Sequence, residues 1–121
     1  MATRFVDAEE RRARLVVRHR HVVAERTDDV VALTDGLVAL HSTDPVSVYL
    51  SAAARMTLPS LAPLDAALYE ERSLVRHHAM RRTLWVFGHE AARIAHHAST
   101  LGLVKVQRRN TLAMLDGAGI A

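Results

Sequence analysis

The sequence contains no cysteine, and only five of its 121 residues are aromatic. The absence of cysteine excludes a disulfide framework and a thiolate metal site. With so few aromatic residues, the interior must be built from Leu, Val and Ala, which favours helix over an all-β sandwich. No apolar run approaches the length of a membrane span, and the N-terminal residues lack the apolar core of a signal peptide. We therefore expect a soluble, cytoplasmic protein with no membrane partner.

Lysine is almost absent as well. Lys105 is the only lysine among sixteen basic residues, and the net charge is +3. Arginine suits bidentate contacts with phosphates and bases, but its abundance can equally reflect genome composition. The arginine-rich run from Arg11 to Arg20 either lies along phosphates or forms a solvated face balanced by nearby acidic residues. Composition alone therefore does not identify nucleic acid as the partner.

Metal-binding and phosphate-loop motifs are missing too. His89 and Glu90 begin like a zinc-protease HExxH motif, but Arg93 occupies the position of the second histidine. There is no glycine-rich phosphate loop and no GxSxG motif. We therefore expect neither a metal ion nor a cofactor.

Apolar residues recur at helical spacing over most of the chain, with capping residues and prolines at the predicted helix starts. The sequence predicts helices from Asp7 to near His21, from Thr27 to about His41, from Pro45 to about Met56, a short one from Pro63, one after Gly88 that ends at Leu101 and Gly102, and one from about Val104 to Gly117.

A polar break, His41 to Pro45, separates the second and third of these helices. Pro45 fits a first helical turn, and Asp44, or Thr43 before it, can cap the open N–H groups. The break thus holds His41, Ser42 and Thr43 at a predicted helix–helix corner. Two interpretations stand side by side: the residues begin a helix, or they form a reactive site.

Residues 74 to 87 contain two β-prone runs around a basic turn, which predicts a β-hairpin, the wing of a winged helix. Continuous helix over residues 74 to 80 is the competing prediction. Arg76, Met80, Arg81 and Arg82 are the candidate DNA contacts, because such a loop can follow a backbone or press an apolar residue into a groove. Alternatively, Arg76 and Arg81 pair with acidic residues inside the fold, namely Glu70, Glu71 or Asp65.

Two ordered blocks carry a family resemblance. The first is Leu40 to Pro45, followed by Tyr49-Leu50-Ser51 and Ala54-Arg55; the second contains Ala67 to Arg72, Leu74-Val75-Arg76 and Met80 to Val86. Together they resemble the winged-helix DNA-binding family that includes the AlkZ-like (azinomycin-resistance) DNA glycosylases. The resemblance extends over roughly residues 8 to 118.

The resemblance implies a mainly α fold with a short β-hairpin, winged-helix-like, as the first module of a longer tandem winged-helix protein. Residues 1–102 would form this N-terminal domain, and residues 103–121 the truncated start of the following helical segment. The partners implied are double-stranded DNA, intact or damaged, and the C-terminal remainder of the same protein.

In AlkZ-like enzymes a Gln-apolar-Gln motif places or activates water to cleave the glycosidic bond of an alkylated base. His41 and Thr43 stand where the two glutamines act, and Ser42 replaces the apolar residue. They are the candidate catalytic residues of a monofunctional glycosylase, because no lysine lies near to form a Schiff base. A DNA-binding regulator without catalysis and a helical interaction module are the alternatives. Tyr49 and Trp85, the aromatics available to stack on a flipped base, are expected in the core.

Overall fold

The computed structural model describes residues 3–120, which form helices packed around a small antiparallel sheet. The helices are α1 Ala8–Arg18, α2 Val30–Leu37, α3 Pro45–Ala53, α4 Ala62–Asp65, α5 His89–Ala95 and α6 Leu101–Gly117. The strands are β1 Leu40–His41, β2 Leu74–His78 and β3 Leu84–Gly88. Short 3₁₀ turns occupy Val23–Glu25 and Met80–Arg82, and wider π turns Ala66–Glu70 and His96–Thr100.

Three of the predicted helix starts are confirmed, because an acidic side chain at each accepts hydrogen bonds from the first open N–H groups. Asp7 caps α1 with a 2.8 Å bond from the Glu10 N–H, and Asp29 caps α2. Asp44 caps α3 with a 3.0 Å bond from the N–H of Val46, and Pro45 lies in the first turn.

The second helix is shorter than predicted. It ends at Leu37, because Val38 adopts a left-handed backbone (φ 76°) that a right-handed helix cannot continue. Leu40 and His41 then pair with β3 as a short strand, and Leu40 is buried. The predicted helix–helix corner is therefore a helix–strand–helix corner.

The predicted helix end at Gly102 is wrong. A single helical run continues from α5 through the π turn His96–Thr100 into α6. Gly102 keeps a right-handed conformation, so it does not form the left-handed cap that usually stops a helix. The run ends at Gly117, as predicted, and Gly119 supplies the left-handed residue (φ 69°).

The predicted hairpin is confirmed, and the competing helix is not formed. β2 pairs with β3 from Leu74 opposite Gly88 to His78 opposite Leu84, and β1 pairs with the other edge of β3. One face of this sheet packs on the helices. The core consists of Val30, Leu33, Leu40, Val48, Ala52, Met56, Leu64, Ala67, Leu74 and Val86. This mainly helical fold with a three-stranded sheet is compatible with a winged helix.

Over residues 3–120, no helix has both the length and the apolar character needed to cross a bilayer.

Candidate nucleic-acid interface

The three residues after Leu40 alternate between the two sides of the chain, as strand geometry requires. Ser42 points inward and is only 1% exposed, whereas His41 and Thr43 are exposed. The Ser42 N–H donates to the Leu84 carbonyl at 2.8 Å, which holds this segment beside β3. The His41 Nε2 lies 3.2 Å from the Thr43 Oγ1. The corner therefore presents an imidazole and a hydroxyl as one hydrogen-bonded pair.

Trp85 connects this pair to the turn of the hairpin. Its ring meets the His41 imidazole edge to face, with centroids 4.9 Å apart and planes at 84°. Its Nε1–H donates to the Met80 carbonyl at 3.1 Å. Trp85 is half-buried and lies opposite His41 across the sheet, rather than within the core as expected. The indole therefore fixes the distance between the corner and the turn.

The turn presents two arginine side chains to solvent. Arg81 (φ 54°) and Arg82 (φ 59°) both have left-handed backbones, which cost about 1–2 kcal/mol each for residues with a side chain. The Met80 carbonyl accepts from the Thr83 N–H and Thr83 Oγ1 as well as from Trp85, so the turn is well ordered. Among residues 3–120, neither arginine side chain forms a hydrogen bond or ion pair, and Met80 is 39% exposed.

Arg76, the fourth predicted DNA contact, is an exposed residue whose guanidinium is bound to Ser42 across the sheet. Its Nε donates to the Ser42 Oγ at 2.8 Å and its Nη2 to the Ser42 carbonyl at 2.7 Å. It forms no ion pair with Glu70, Glu71 or Asp65 in the described part of the chain. Its guanidinium thus donates to both the hydroxyl and the carbonyl oxygen of Ser42.

His41 also lines a shallow pocket of about 230 Å³ on the helical side of the corner. Thr43 does not line it, so the pair stands at the rim of this concavity rather than both facing into it. The other lining residues are His19, Leu37, Ala39, Leu40, Ser51 and Arg55.

A second cleft, of about 420 Å³, lies on the other side of Ser42. Its polar walls come from Ser42, Tyr49, Tyr69, Arg72 and Arg76. The Tyr49 hydroxyl donates to the Asp65 carboxylate at 2.5 Å, and this hydrogen bond raises the pKa of Tyr49, so the phenol stays protonated. Tyr49 is half-buried against the core, close to the predicted place.

Comparison with known families decides what kind of protein contains this corner. Residues 34–118 match the family described as DNA glycosylase AlkZ-like. The chain belongs to the AlkZ-like family. The matched range includes the His41 corner, both hairpin strands and the long helical run, so the predicted resemblance is confirmed and a DNA-related function follows. Searches among curated proteins and among solved structures gave no significant match.

This AlkZ-like chain also contains a histidine cluster that the sequence did not reveal. His77 Nε2 lies 3.2 Å from His96 Nδ1 and 3.1 Å from Thr100 Oγ1, and the same hydroxyl donates to the His78 carbonyl. Burial, together with the charges of His96 and His78, lowers the pKa of His77. The cluster attaches β2 to the helical run. Within residues 3–120, no three His, Cys, Asp or Glu side chains are grouped as a metal site requires.

The cleft and the cluster were missed for one reason. Tyr49 comes from α3 and Tyr69 from the turn Ala66–Glu70, and His77 and His96 are nineteen residues apart. Neighbours such as His77 and His78 alternate across a strand, so sequence adjacency directs attention to the wrong pair. The alternation of side chains along β2 could have predicted the two partners, because it places Arg76 on the sheet face of Leu74 and His77 on the opposite face.

Proposed function

We propose that this protein is a winged-helix DNA-binding protein that excises alkylated or crosslinked bases from duplex DNA. The observation that carries the proposal is the hydrogen-bonded His41–Thr43 pair. It occupies the place of the family's glutamine motif and is joined through Trp85 to a turn whose two arginines have no side-chain partner among residues 3–120.

The order of elements supports the winged-helix part of the proposal. From α2 to β3 the chain runs helix, strand, two helices and a hairpin, which is the order of a winged helix. In such folds a helix of the helix-turn-helix enters the major groove. Here the corresponding segment, α4 with the turn Ala66–Glu70, exposes Asp65 and Glu70, which DNA phosphates would repel. We therefore assign the DNA contact to the hairpin.

Arg81 and Arg82 suit the phosphate backbone, because their guanidinium groups are exposed and have no protein partner among the described residues. Met80 stands beside them and can press against a sugar or enter a groove. Arg76 serves the same interface by fixing Ser42, and with it the direction of His41 and Thr43.

In the proposed reaction, His41 orients a water molecule and accepts its proton, as an imidazole can near neutral pH. The water oxygen bonds to C1′ of the deoxyribose, the C1′–N bond breaks, and its electron pair leaves with the base. An alkylated base that carries a positive charge leaves as a neutral molecule and needs no further proton. Thr43 holds the imidazole through the 3.2 Å contact. Lys105, the only lysine in the sequence, lies in α6 and lines neither of the two pockets beside Ser42 and His41, so we assign water rather than an amine as nucleophile.

The test is base release from methylated duplex DNA, measured beside binding of the same duplex. His41→Ala should abolish release and leave binding intact, because the residue positions water rather than phosphate. Thr43→Ala should slow release by about tenfold, as for a neutral hydrogen bond of about 1–2 kcal/mol. His97→Ala and Thr111→Ala, exposed positions on the helical run, are matched controls. Release that survives His41→Ala would refute the catalytic assignment.

A regulator that binds DNA without catalysis is the second candidate. It is favoured by one observation, that neither His41 nor Thr43 offers the amide found in the family motif. Salt-dependent duplex binding without base release would identify this function. A helical interaction module would show neither.

We also propose that residues 1–102 form the N-terminal module of a tandem winged-helix protein, and that residues 103–121 begin the following helical segment. The supporting observation is that α6 has no buried residue, and that Leu112 and Met114 are 47% and 75% exposed. The C-terminal remainder of the protein would cover these apolar side chains.

A further inference from the structure

Arg55 is a half-buried arginine whose hydrogen-bond partners are all neutral acceptors. Its Nε donates to the His19 carbonyl at 2.9 Å and its Nη1 to the Ser51 carbonyl at 2.6 Å. Its Nη2 lies 3.4 Å from His21 Nε2. These contacts fix the direction of the guanidinium, but they do not neutralise it. Charged side chains that leave water are normally paired with an opposite charge.

The side chains around Arg55 are also basic. The rings of His19 and His21 lie 6.4 Å apart. Burial lowers the pKa of His21, and the nearby charges of Arg55, His19 and Arg26 lower it further. The Arg26 Nε is buried and has no hydrogen-bond partner among residues 3–120. In the same range, Glu10 is the only carboxylate in an ion pair, and its partners are Arg4 and Arg14 rather than Arg26 or Arg55.

An opening leads from solvent to His19 and Arg55. The pocket of about 230 Å³ beside the corner is lined by His19, Arg55 and His41. It is shallow and large enough for a tetrahedral anion. An anion there would meet a guanidinium already oriented by two carbonyls, so little side-chain ordering would oppose binding.

We propose that His19 and Arg55 form a phosphate-binding site next to His41, and that His21 and Arg26 adjoin this site. A phosphate group supplies the negative charge that this basic cluster lacks, and it accepts several charge-assisted hydrogen bonds at once. If the proposed function holds, on which this part of the inference rests, the occupant is a backbone phosphate next to the nucleotide at His41. The hairpin arginines would then hold a different part of the duplex.

The experiment follows the imidazole resonances of the full chain by NMR while inorganic phosphate replaces chloride at constant ionic strength. The signals of His19 and His21 should shift and saturate, and those of His97 should not. Arg26→Gln should weaken phosphate binding by about tenfold or more, because it removes a positive charge next to His21 and the site. Arg109→Gln, which removes the same charge from exposed α6, should leave binding unchanged. Arg55 itself is spared, since it also holds the carbonyls of His19 and Ser51.

A second titration uses a short duplex as the probe. If the duplex shifts the signals of His19 and His21, and if Arg26→Gln weakens that binding, the occupant is a backbone phosphodiester. Saturable shifts with inorganic phosphate alone identify a free phosphate or a phosphate monoester, and they stand even if the protein releases no base. Shifts that are absent with both probes, or that Arg26→Gln leaves unchanged, overturn the site.

Discussion

The arginines of the hairpin fall into two groups that differ in what their side chains contact. Arg76, in the middle of β2, donates two hydrogen bonds to Ser42. Arg81 and Arg82, at the turn, contact no acceptor among the described residues and have left-handed backbones. The three lie within seven positions of one another and have the same chemistry. Their difference comes from the sheet, which directs Arg76 toward the inward oxygens of the corner and leaves the turn in solvent.

We infer from this difference that Arg76 contributes to the stability of the fold, and that Arg81 and Arg82 contribute to DNA binding. A guanidinium that satisfies buried acceptors contributes to folding, because those acceptors would otherwise lose their partners. A guanidinium with no partner among the described residues adds no such hydrogen bond, and residues with strained backbones concentrate at functional sites. The hairpin therefore holds the corner in place with one arginine and offers the other two to a ligand.

The largest effect on stability is expected for Arg76→Ala. The change removes two charge-assisted hydrogen bonds from Ser42, which is 1% exposed, and should lower the free energy of unfolding by about 2 kcal/mol. Chemical denaturation measures this loss. Duplex affinity per folded molecule should change little by comparison.

The matched control is Arg93→Ala, an exposed arginine of α5 that should cost less than about 0.5 kcal/mol. Ser42→Ala keeps the carbonyl bond and should cost about half as much as Arg76→Ala, and the double variant should show coupling between the two. Equal stability of Arg76→Ala and wild type would show that the Ser42 contact does not support the corner.

The second prediction concerns the turn. Replacing both Arg81 and Arg82 with Ala should weaken duplex binding by at least about tenfold and lower the salt slope by about 2, because two phosphate contacts are lost. Affinity should fall alike for all sequences. The free energy of unfolding should stay the same, since alanine keeps the left-handed strain.

Arg108→Ala with Arg109→Ala in α6 removes the same charge and tests whether location matters. If this control pair lowers affinity as much as the turn pair does, net charge rather than the turn determines binding. The full-length protein is the sample for both measurements.

Local signals in the sequence were enough for most of the fold. Asp7, Asp29 and Asp44 cap helices as predicted, because a cap depends only on residues within one turn. The hairpin was predictable for the same reason. Strand β1 was not, because Leu40 and His41 become a strand only by pairing with β3, more than forty residues later. Likewise, a glycine such as Gly102 often ends a helix, but here the helix continues through it.

The candidate site was predictable only where a motif named its residues. His41 and Thr43 came from the family resemblance, and the structure places them in one hydrogen-bonded pair. The partner of Arg76 could not be predicted from the sequence. Opposite charge suggests a carboxylate as the partner of an arginine, whereas Arg76 donates to the two oxygens of the buried Ser42. The contact of Trp85 with His41 likewise depends on the register of β1 against β3.

The smallest expected effect has the opposite sign. Arg82→Gly should raise the free energy of unfolding by about 1 kcal/mol, because glycine adopts a left-handed backbone without the penalty that a side chain imposes there. The same change should weaken duplex binding, since one of the two free guanidinium groups is lost. Arg109→Gly, within α6, is the matched control and should lower stability by about 1 kcal/mol, because glycine is unfavourable inside a helix. Thermal and chemical denaturation of the two variants should therefore move in opposite directions. If Arg82→Gly instead lowers the free energy of unfolding, the left-handed backbone of Arg82 is not destabilising. Arg82 would then contribute to stability as well as to DNA binding.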